Sequence, residues 1–322
     1  MAEHETAAVA TTMPLVSVTI TTFNRSKMLV ERAIAGILSQ TLTDWECIVV
    51  DGGGSDDTQQ VVEAIAATDP RFRYLRQPRN LGQNADRNLG IKNSRGKYIV
   101  LTDDDDEFLP RYFEAAVEAF DKLPENVAYL TGSIIVRDAE GRESYVVPTW
   151  DPFWKYALGN GCFFRRAPFF KDGIFMEEGL VGFEDIEFHI RFYQAGYRGY
   201  VIPEPLRVYY TSIGSNVHSI SKNYDRQAGD FKKFFGAHHA VYEEAGGDAL
   251  EWVYRFAGIV NLQAGHMKAG RAFLKKSFRA KPTWLVFIYI CASFFGWRFF
   301  ATFDYYKSKI MRVVRINLLN RK

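Results

Sequence analysis

The stretch YIVLTDDDDEFLP, Tyr98–Pro110, passes from residues typical of a buried strand straight into four aspartates and a glutamate. Carboxylates this close repel one another, and they hold together only where water solvates them or something positive joins them. The residues on either side say which edge of a fold they occupy. Upstream, LVSVTIT (Leu15–Thr21) is β-branched and apolar, and FNRS breaks it. A helix reads from about Ser26 to Ser39, with Val30, Ile34, Ile37 and Leu38 on one face. WECIVVD is a second strand ending at Asp51, followed by the glycine loop GGGSDD and a helix striped with Val61, Val62, Ile65 and Ala66. FRYLRQ is a third strand, QNADRNLGIKNS a helix, and KYIVLT the fourth strand. PRYFEAAVEAF then opens a helix with proline at its first position, where the missing N–H would be unpaired anyway. Strand and helix in alternation predict an α/β fold, with parallel βαβ units and helices on both faces of a Rossmann-like sheet.

From about Val127 the pattern changes. VAYLTGSIIV and ESYVVP read as strands joined by a turn at DAEGR; a helix follows around EDIEFHIRFYQAG, and YVIPEPLRVYY closes this part with short strands. After about Ser219 the chain becomes helical, aromatic and basic. The resulting division is a flexible tail over 1–13, an α/β domain over 14–218 and a helical C-terminal region over 219–322.

Composition narrows the function. The 322 residues are 47% hydrophobic and 15% aromatic, ample for a core, and the net charge of +2 does not imply nucleic acid. Cys47, Cys162 and Cys291 are far apart and odd in number, which gives neither a metal spacing nor a disulfide framework and suits a reducing compartment. MAEHETAAVATTMP lacks the basic-then-apolar order of a secretory signal, and no run reaches the roughly 18 uninterrupted apolar residues of a spanning helix.

In an open parallel sheet, ligands bind beyond the carboxyl ends of the strands. Three strands end there in polar residues: the first in Thr22, Phe23, Asn24 and Arg25, the second in Asp51 and three glycines, the fourth in Asp103 to Asp106. A magnesium or manganese ion takes one or two carboxylates plus substrate phosphates, and Asp103 and Asp105 alternate along extended backbone. The alternative is an acidic, solvated turn in which Asp106 and Glu107 serve the N-terminus of the next helix. VDGGGSDDT allows close backbone approach to a nucleotide but is neither the spaced dinucleotide fingerprint nor a P-loop, and a plain turn stands as its alternative. Asp51, an acid ending a buried strand, suggests a base or ribose contact. Glu184 and Asp185 begin a predicted helix, where acids also favour the helix dipole, and Glu187–Arg191 is an ordinary four-apart pair.

Together, VSVTITTFNR, SQTLTDWECIVVDGGGSDDT, NLGQNADRNLGIKNSRGKYIVLTDDDDEFLP and GFEDIEFHIRFYQAGY resemble, in order, the motifs of the inverting nucleotide-sugar glycosyltransferases of family 2, over roughly Leu15 to Tyr210. The resemblance implies a GT-A fold, a nucleoside-diphosphate sugar donor and a Mn2+ or Mg2+ ion. It matches Asp103 and Asp105 to the family's Asp-x-Asp, with Asp105 the metal ligand and Asp103 and Asp104 near ribose and diphosphate. Thr22, Asn24 and Asp51 match the nucleoside pocket, Arg25 lies on the same tip, Arg87 stands where a basic residue often meets the donor, and Asp185 matches the general base. Trp150, Asn160 and Glu184 are candidates on the acceptor side. The usual proline of the first tip is Thr21 here, and the second aspartate often found after Asp51 is Gly52. The processive-synthase Gln-x-x-Arg-Trp motif is absent, which implies one sugar per encounter.

PTWLVFIYICASFFGWRFFATF, Pro282–Phe303, is the most apolar segment. Lys268, Arg271, Lys275, Lys276 and Arg279 precede it, and Lys307, Lys309, Arg312, Arg315, Arg321 and Lys322 follow. An aromatic patch flanked by cations suits the interface of an anionic membrane; packing on the catalytic domain, pairing with a second copy of the chain, and insertion are the alternatives. Membrane placement would suit a glycan or lipid-linked acceptor and a cytoplasmic protein peripheral on the inner membrane, as in bacterial surface-polysaccharide assembly. Two other readings stand beside this one: a nucleotidyltransferase of similar fold, whose usual glycine- and lysine-rich opening loop is missing from TTFNRSKM, and a non-catalytic membrane-docking protein.

Overall fold

A computed structural model describes residues 13–156, 158–180, 182–210, 224–296 and 302. The tail expected over 1–13 lies, apart from Met13, outside the described residues, as do Trp297, Arg298 and the six cations that follow the apolar segment.

The four expected parallel strands are present as β1 (Val16–Thr22), β2 (Trp45–Asp51), β3 (Phe72–Arg76) and β4 (Tyr98–Asp103). Every residue of β1 and β2 is buried, which is why both read as unbroken runs rather than alternating ones. Five more strands follow: β5 (Glu107–Phe108), β6 (Val127–Arg137), β7 (Glu143–Val146), β8 (Cys162–Arg165) and β9 (Arg198–Tyr210). They complete a nine-stranded sheet in the order β3-β2-β1-β4-β8-β6-β9-β5, with β7 paired to β6. β8 runs antiparallel to β4, and β6 antiparallel to β8, so the sheet is parallel first and mixed later. β8 falls in GNGCFFRR, whose four buried residues leave no alternation to betray a strand. β9 is one long strand rather than short ones. Its two prolines, Pro203 and Pro205, lie outside the pairing with β5, which engages only Arg207 and Val208.

Register decides the function of this sheet. Thr22 of β1 stands opposite Asp51 of β2, and Thr21 stands opposite Asp103 of β4. The three polar tips therefore lie side by side on one rim.

The first helix follows the expected span, but as Ser26–Met28, Leu29–Ile34 and Ala35–Leu38, the middle piece with the wider turns of a π-helix. The Tyr112–Lys122 helix buries Tyr112, Phe113, Ala115, Ala116 and Phe120 in the core, with Val18, Ile20, Val100 and Phe163 from the sheet. The Gln83–Asn93 helix approaches β1 so closely that a β-carbon on Gly90 would lie 2.1 Å from Thr19 Cγ2.

The chain forms two compact units. One holds residues up to Ile134, Gly159–Phe175 and Tyr197–Tyr209; the other holds Ile135–Leu158, Met176–Gly196 and the residues from Tyr210 onward. The second unit is built on helices Glu184–Gln194, Tyr224–Ala245, Gly247–Gln263, Met267–Ala280 and Trp284–Ala292. Its core joins Leu180, Phe183 and Ile190 to Phe231, Phe234, Tyr242 and Val253. A smaller cluster seats Tyr289 and Ala292 on Leu262 and Leu274.

At the opposite end of the parallel strands, the buried Glu46 carboxylate ties three segments together. It accepts from Ser17 Oγ at 2.7 Å, from the Arg95 backbone N–H at 2.8 Å and from Arg95 Nε at 2.9 Å. Burial pushes its pKa up, but the bonds from Arg95 and Ser17 outweigh this and hold it below the ordinary value. A carboxyl with a depressed folded pKa adds stability above its unfolded pKa of about 4.3, and loses it as pH falls through the folded value. Glu46→Gln is expected to cost about 1.5–3 kcal/mol at neutral pH in urea unfolding. The gap from wild type should shrink as pH falls below about 4.3, the unfolded value; a gap independent of pH would remove Glu46 from this role.

Candidate active site

The rim is assembled from short, polar connections. Asp51 ends β2 with its carboxylate fully engaged. Oδ1 accepts the N–H groups of Gly53 (3.0 Å) and Gly54 (2.8 Å), while Oδ2 accepts Tyr74 Oη–H (2.7 Å) and Arg76 Nη1 (3.0 Å). Asp51 thus shapes the glycine loop from within. Asn24 shapes it from the neighbouring tip: its backbone is left-handed, at φ 54°, which asparagine tolerates. Its Oδ1 accepts the Ser55 and Asp56 N–H groups at 2.6 and 3.2 Å.

The four aspartates divide their partners. Asp103 Oδ1 accepts Gln83 Nε2 (2.7 Å), Arg87 Nη2 (3.1 Å) and Thr21 Oγ1 (3.2 Å). Asp104 is buried: Oδ2 accepts Thr22 Oγ1 at 2.8 Å, and Arg25 Nη1 stands 2.9 Å from Oδ1. Arg25 Nη2 donates to Asp105 at 2.8 Å, and Arg32 Nη1 donates to the Asp105 carbonyl at 3.3 Å. Asn160 bridges the ends of the turn, accepting from Asp103 N–H at 3.1 Å and donating to Asp106 Oδ2. Burial lifts Asp104 to about 7, with Asp105 and Asp103 adding to the rise and Arg25 and Thr22 opposing it. Burial likewise lifts Asp106 to about 6, against the pull of Arg207. The carboxylate repulsion legible in the sequence is present in the folded turn.

Asp103, Asp105 and Asp106 place one carboxylate oxygen each within 4.8 Å of one another. The donor set is oxygen only, which fits a hard cation such as Mg2+ or Mn2+ and not a thiolate- or imidazole-seeking ion. Asp106, which the alternative reading of the sequence gave to the following helix, belongs to this cluster, because the turn closed by Asp106 N–H on Asp103 O brings it round. Asp104 is turned to Arg25 and stands outside it.

Thr22, Arg25, Arg87, Asp103, Asp104 and Asp105 are thus one bonded constellation, with Asn24 and Asp51 framing the loop beside it. Asn160, a candidate for the acceptor side, is hydrogen-bonded to the acidic turn instead. Asp185 lies in the second unit, half-buried in the first turn of Glu184–Gln194, with its carbonyl accepting Leu158 N–H at 3.0 Å. Glu184 accepts the Gly182 N–H. In the same unit the ring of Trp150 meets His189 edge-on at 5.7 Å, and burial lowers the His189 pKa to about 4. Gln83, Arg32 and Asp86 carry no motif signal by themselves. Asp86, 5% exposed, accounts for the glycine at position 52: a β-carbon there would lie 2.7 Å from Asp86 Oδ2.

The sequence profile of Glycosyl transferase family 2 matches residues 17–179. The chain belongs to that family. A curated relative, the GalNAc(5)-diNAcBac-PP-undecaprenol beta-1,3-glucosyltransferase of Campylobacter jejuni, is 36% identical over 133 residues, 41% of each chain. The glycosyltransferase EpsJ of Bacillus subtilis is 26% identical over 221 residues, 61% of each chain. The matches thus span about two fifths to three fifths of these relatives' own length. Among solved structures, S. aureus TarS 1-349 with UDP-GlcNAc aligns at TM-score 0.54 and 18% identity over 82% of this chain and 89% of that one. The mannosyltransferase PcManGT of Pyrobaculum calidifontis, solved with GDP-Man and Mn2+, aligns at TM-score 0.55 and 17% identity over 96% of this chain and 86% of that one. The shared fold is the GT-A type expected for family 2, with a helical C-terminal region.

The turn geometry distinguishes its aspartates. Asp105→Asn and Asp106→Asn are each expected to weaken Mn2+ binding tenfold or more by titration calorimetry, the range seen on losing or misorienting a ligand being about 10–100-fold. Asp104→Asn should lower it by less than about threefold, since its carboxylate faces Arg25 rather than the cluster. Equal losses at all three positions would refute the assignment.

Proposed function

We propose that this chain is a metal-dependent, inverting glycosyltransferase that moves one sugar from a nucleoside-diphosphate sugar to an acceptor hydroxyl. The observation that carries the reading is the Asp103–Asp105–Asp106 cluster, set by strand register on the same rim as the Asp51 glycine loop. Family membership supports the reaction class, and the sugar nucleotides bound by TarS and PcManGT support the donor class.

The chain's own residues have definite tasks in this reading. The glycine loop and Thr22–Arg25 receive the nucleoside, and Arg87 and Gln83 fix the Asp103 carboxylate. A bound Mn2+ or Mg2+, held by Asp103, Asp105 and Asp106, would supply charge stabilisation for the departing diphosphate. Asp185 takes the proton from the acceptor hydroxyl, which attacks the sugar on the face opposite the leaving group and inverts it in one displacement.

The acceptor in this reading is a lipid-linked or surface-polysaccharide glycan, met by a protein peripheral on the cytoplasmic face of a membrane. The Campylobacter relative's name includes PP-undecaprenol. Among the described residues no helix is long and apolar enough to cross a membrane. The Trp284–Ala292 helix buries Val286, Tyr289 and Ala292 and leaves Trp284 81%, Phe287 46% and Ile288 44% exposed, with Phe294 and Phe295 beyond them at 67% and 72%. The preceding helix adds the exposed Lys275 and Lys276. Exposed apolar rings and exposed cations on successive helices are the pattern of an interfacial anchor.

Asp185→Asn is expected to lower turnover by about 10²–10⁴-fold, with donor affinity changed less than about twofold, in a product-release assay paired with donor titration. Wild-type turnover in this variant would remove Asp185 as the base. In vesicle sedimentation, Lys275→Glu with Lys276→Glu should weaken binding to anionic vesicles roughly tenfold or more, at about 1 kcal/mol per cation lost. Wild-type protein that binds neutral and anionic vesicles alike would sink the membrane assignment.

A further inference from the structure

Asp86 has no role in the chemistry above, yet it is a buried carboxylate with an unused oxygen. The Gln77 side chain stabilises its charged form, while Oδ1 is buried without a hydrogen-bond partner. A lone acceptor of this kind costs free energy unless a ligand satisfies it. Its position is specific. The space beside the Gly52 α-carbon has Asp86 Oδ2 at 2.7 Å on one side and the ring of Phe23 at 3.6 Å on the other. That ring is 42% exposed. Gly52 itself is held between the strand tips by its N–H bond to Thr22 O at 2.9 Å. With no side chain at position 52, the Asp86 carboxylate approaches the strand tips beside the Phe23 ring.

We infer that Asp86 is the residue that reads the base of the nucleotide donor, accepting a ring N–H through its carboxylate and so selecting uracil- or guanine-type bases over cytosine and adenine. This rests on the reading that the donor is a nucleoside diphosphate sugar. Uracil N3 and guanine N1 carry a hydrogen next to a carbonyl; cytosine N3 and adenine N1 present a bare lone pair there, which a carboxylate repels. Phe23 supplies a face against which either kind of base can stack, and therefore adds affinity without this selection. Burial lifts the Asp86 pKa to about 6, so at pH 8 the group is ionised and can only accept.

The test is calorimetric binding of UDP, GDP, CDP and ADP to the full chain with Mn2+ at pH 8. Wild type should favour UDP or GDP over CDP and ADP by tenfold or more, because a site built to bond an N–H rejects analogues lacking it. UDP against GDP identifies which of the two bases the site admits. Asp86→Asn keeps the shape and the Gln77 bond but turns an N–H toward the base, and should reverse the order so that CDP exceeds UDP. Asp86→Ala should bring the four ligands within about threefold of one another. Gly52→Asp alone should lose binding through its clash with Asp86, and Gly52→Asp with Asp86→Ala should restore the wild-type order. Thermal midpoints and Mn2+ affinity report whether each variant is folded. A folded Asp86→Asn protein with the wild-type order, or wild type that binds all four alike, overturns the assignment and leaves the glycosyltransferase reading standing. Binding to none of the four overturns both.

Discussion

Four consecutive carboxylates can share one turn only if their charge is divided among separate partners, and here the division runs through Arg25. Its guanidinium spans Asp104 and Asp105. Burial would lower the pKa of this arginine, but the two carboxylates outweigh that and raise it, so it stays charged. Asp103 is taken by Gln83 and Arg87, and Asp106 by Asn160. What remains after this division is a cluster of three partly compensated carboxylates that point at one another, a geometry with an excess of negative charge and oxygen ligands. The upward shifts at Asp104 and Asp106 record the cost of burying it. The rim therefore spends folding stability on a site that a divalent cation would relieve, as functional sites commonly do.

Much of this was legible in the chain. Largely apolar runs gave β1, β2 and β4 within a residue at each end, because strands buried on both faces admit little else. The polar ends of those runs located the rim, since acids cannot continue into a core. The acceptors of long-range bonds were not legible. Nothing local marks Asn160 as the bridge across a turn some fifty residues earlier, or Gln83 as a partner of Asp103, because both depend on tertiary register. β8 escaped detection for a related reason: a four-residue buried strand has no period to read.

Asp106 and Gly52 show what single positions leave open. Asp106 could be an ordinary acid ahead of a helix, and the turn folds it back into the cluster. Gly52 looked like a missing contact beside Asp51. The structure gives it a steric cause, since Asp86 already occupies the approach to that position. The departure from the family pattern at position 52 thus has a steric cause in a residue far along the chain, which a comparison of single positions would not show.

The wide turns at Leu29–Ile34 have a mechanical consequence. An added residue per turn changes the angular phase of everything downstream. Arg32, inside the widened stretch, grips the carbonyl of Asp105. Gly36, just past it, sits so close to β5 that a β-carbon would come within 2.9 Å of Phe108 N. One short helix thus clamps the acidic segment fore and aft, and its winding sets the gauge of the clamp. Removing a single residue between Arg32 and Gly36 would rotate one jaw against the other by roughly 100°, the angular step per residue of an ordinary helix.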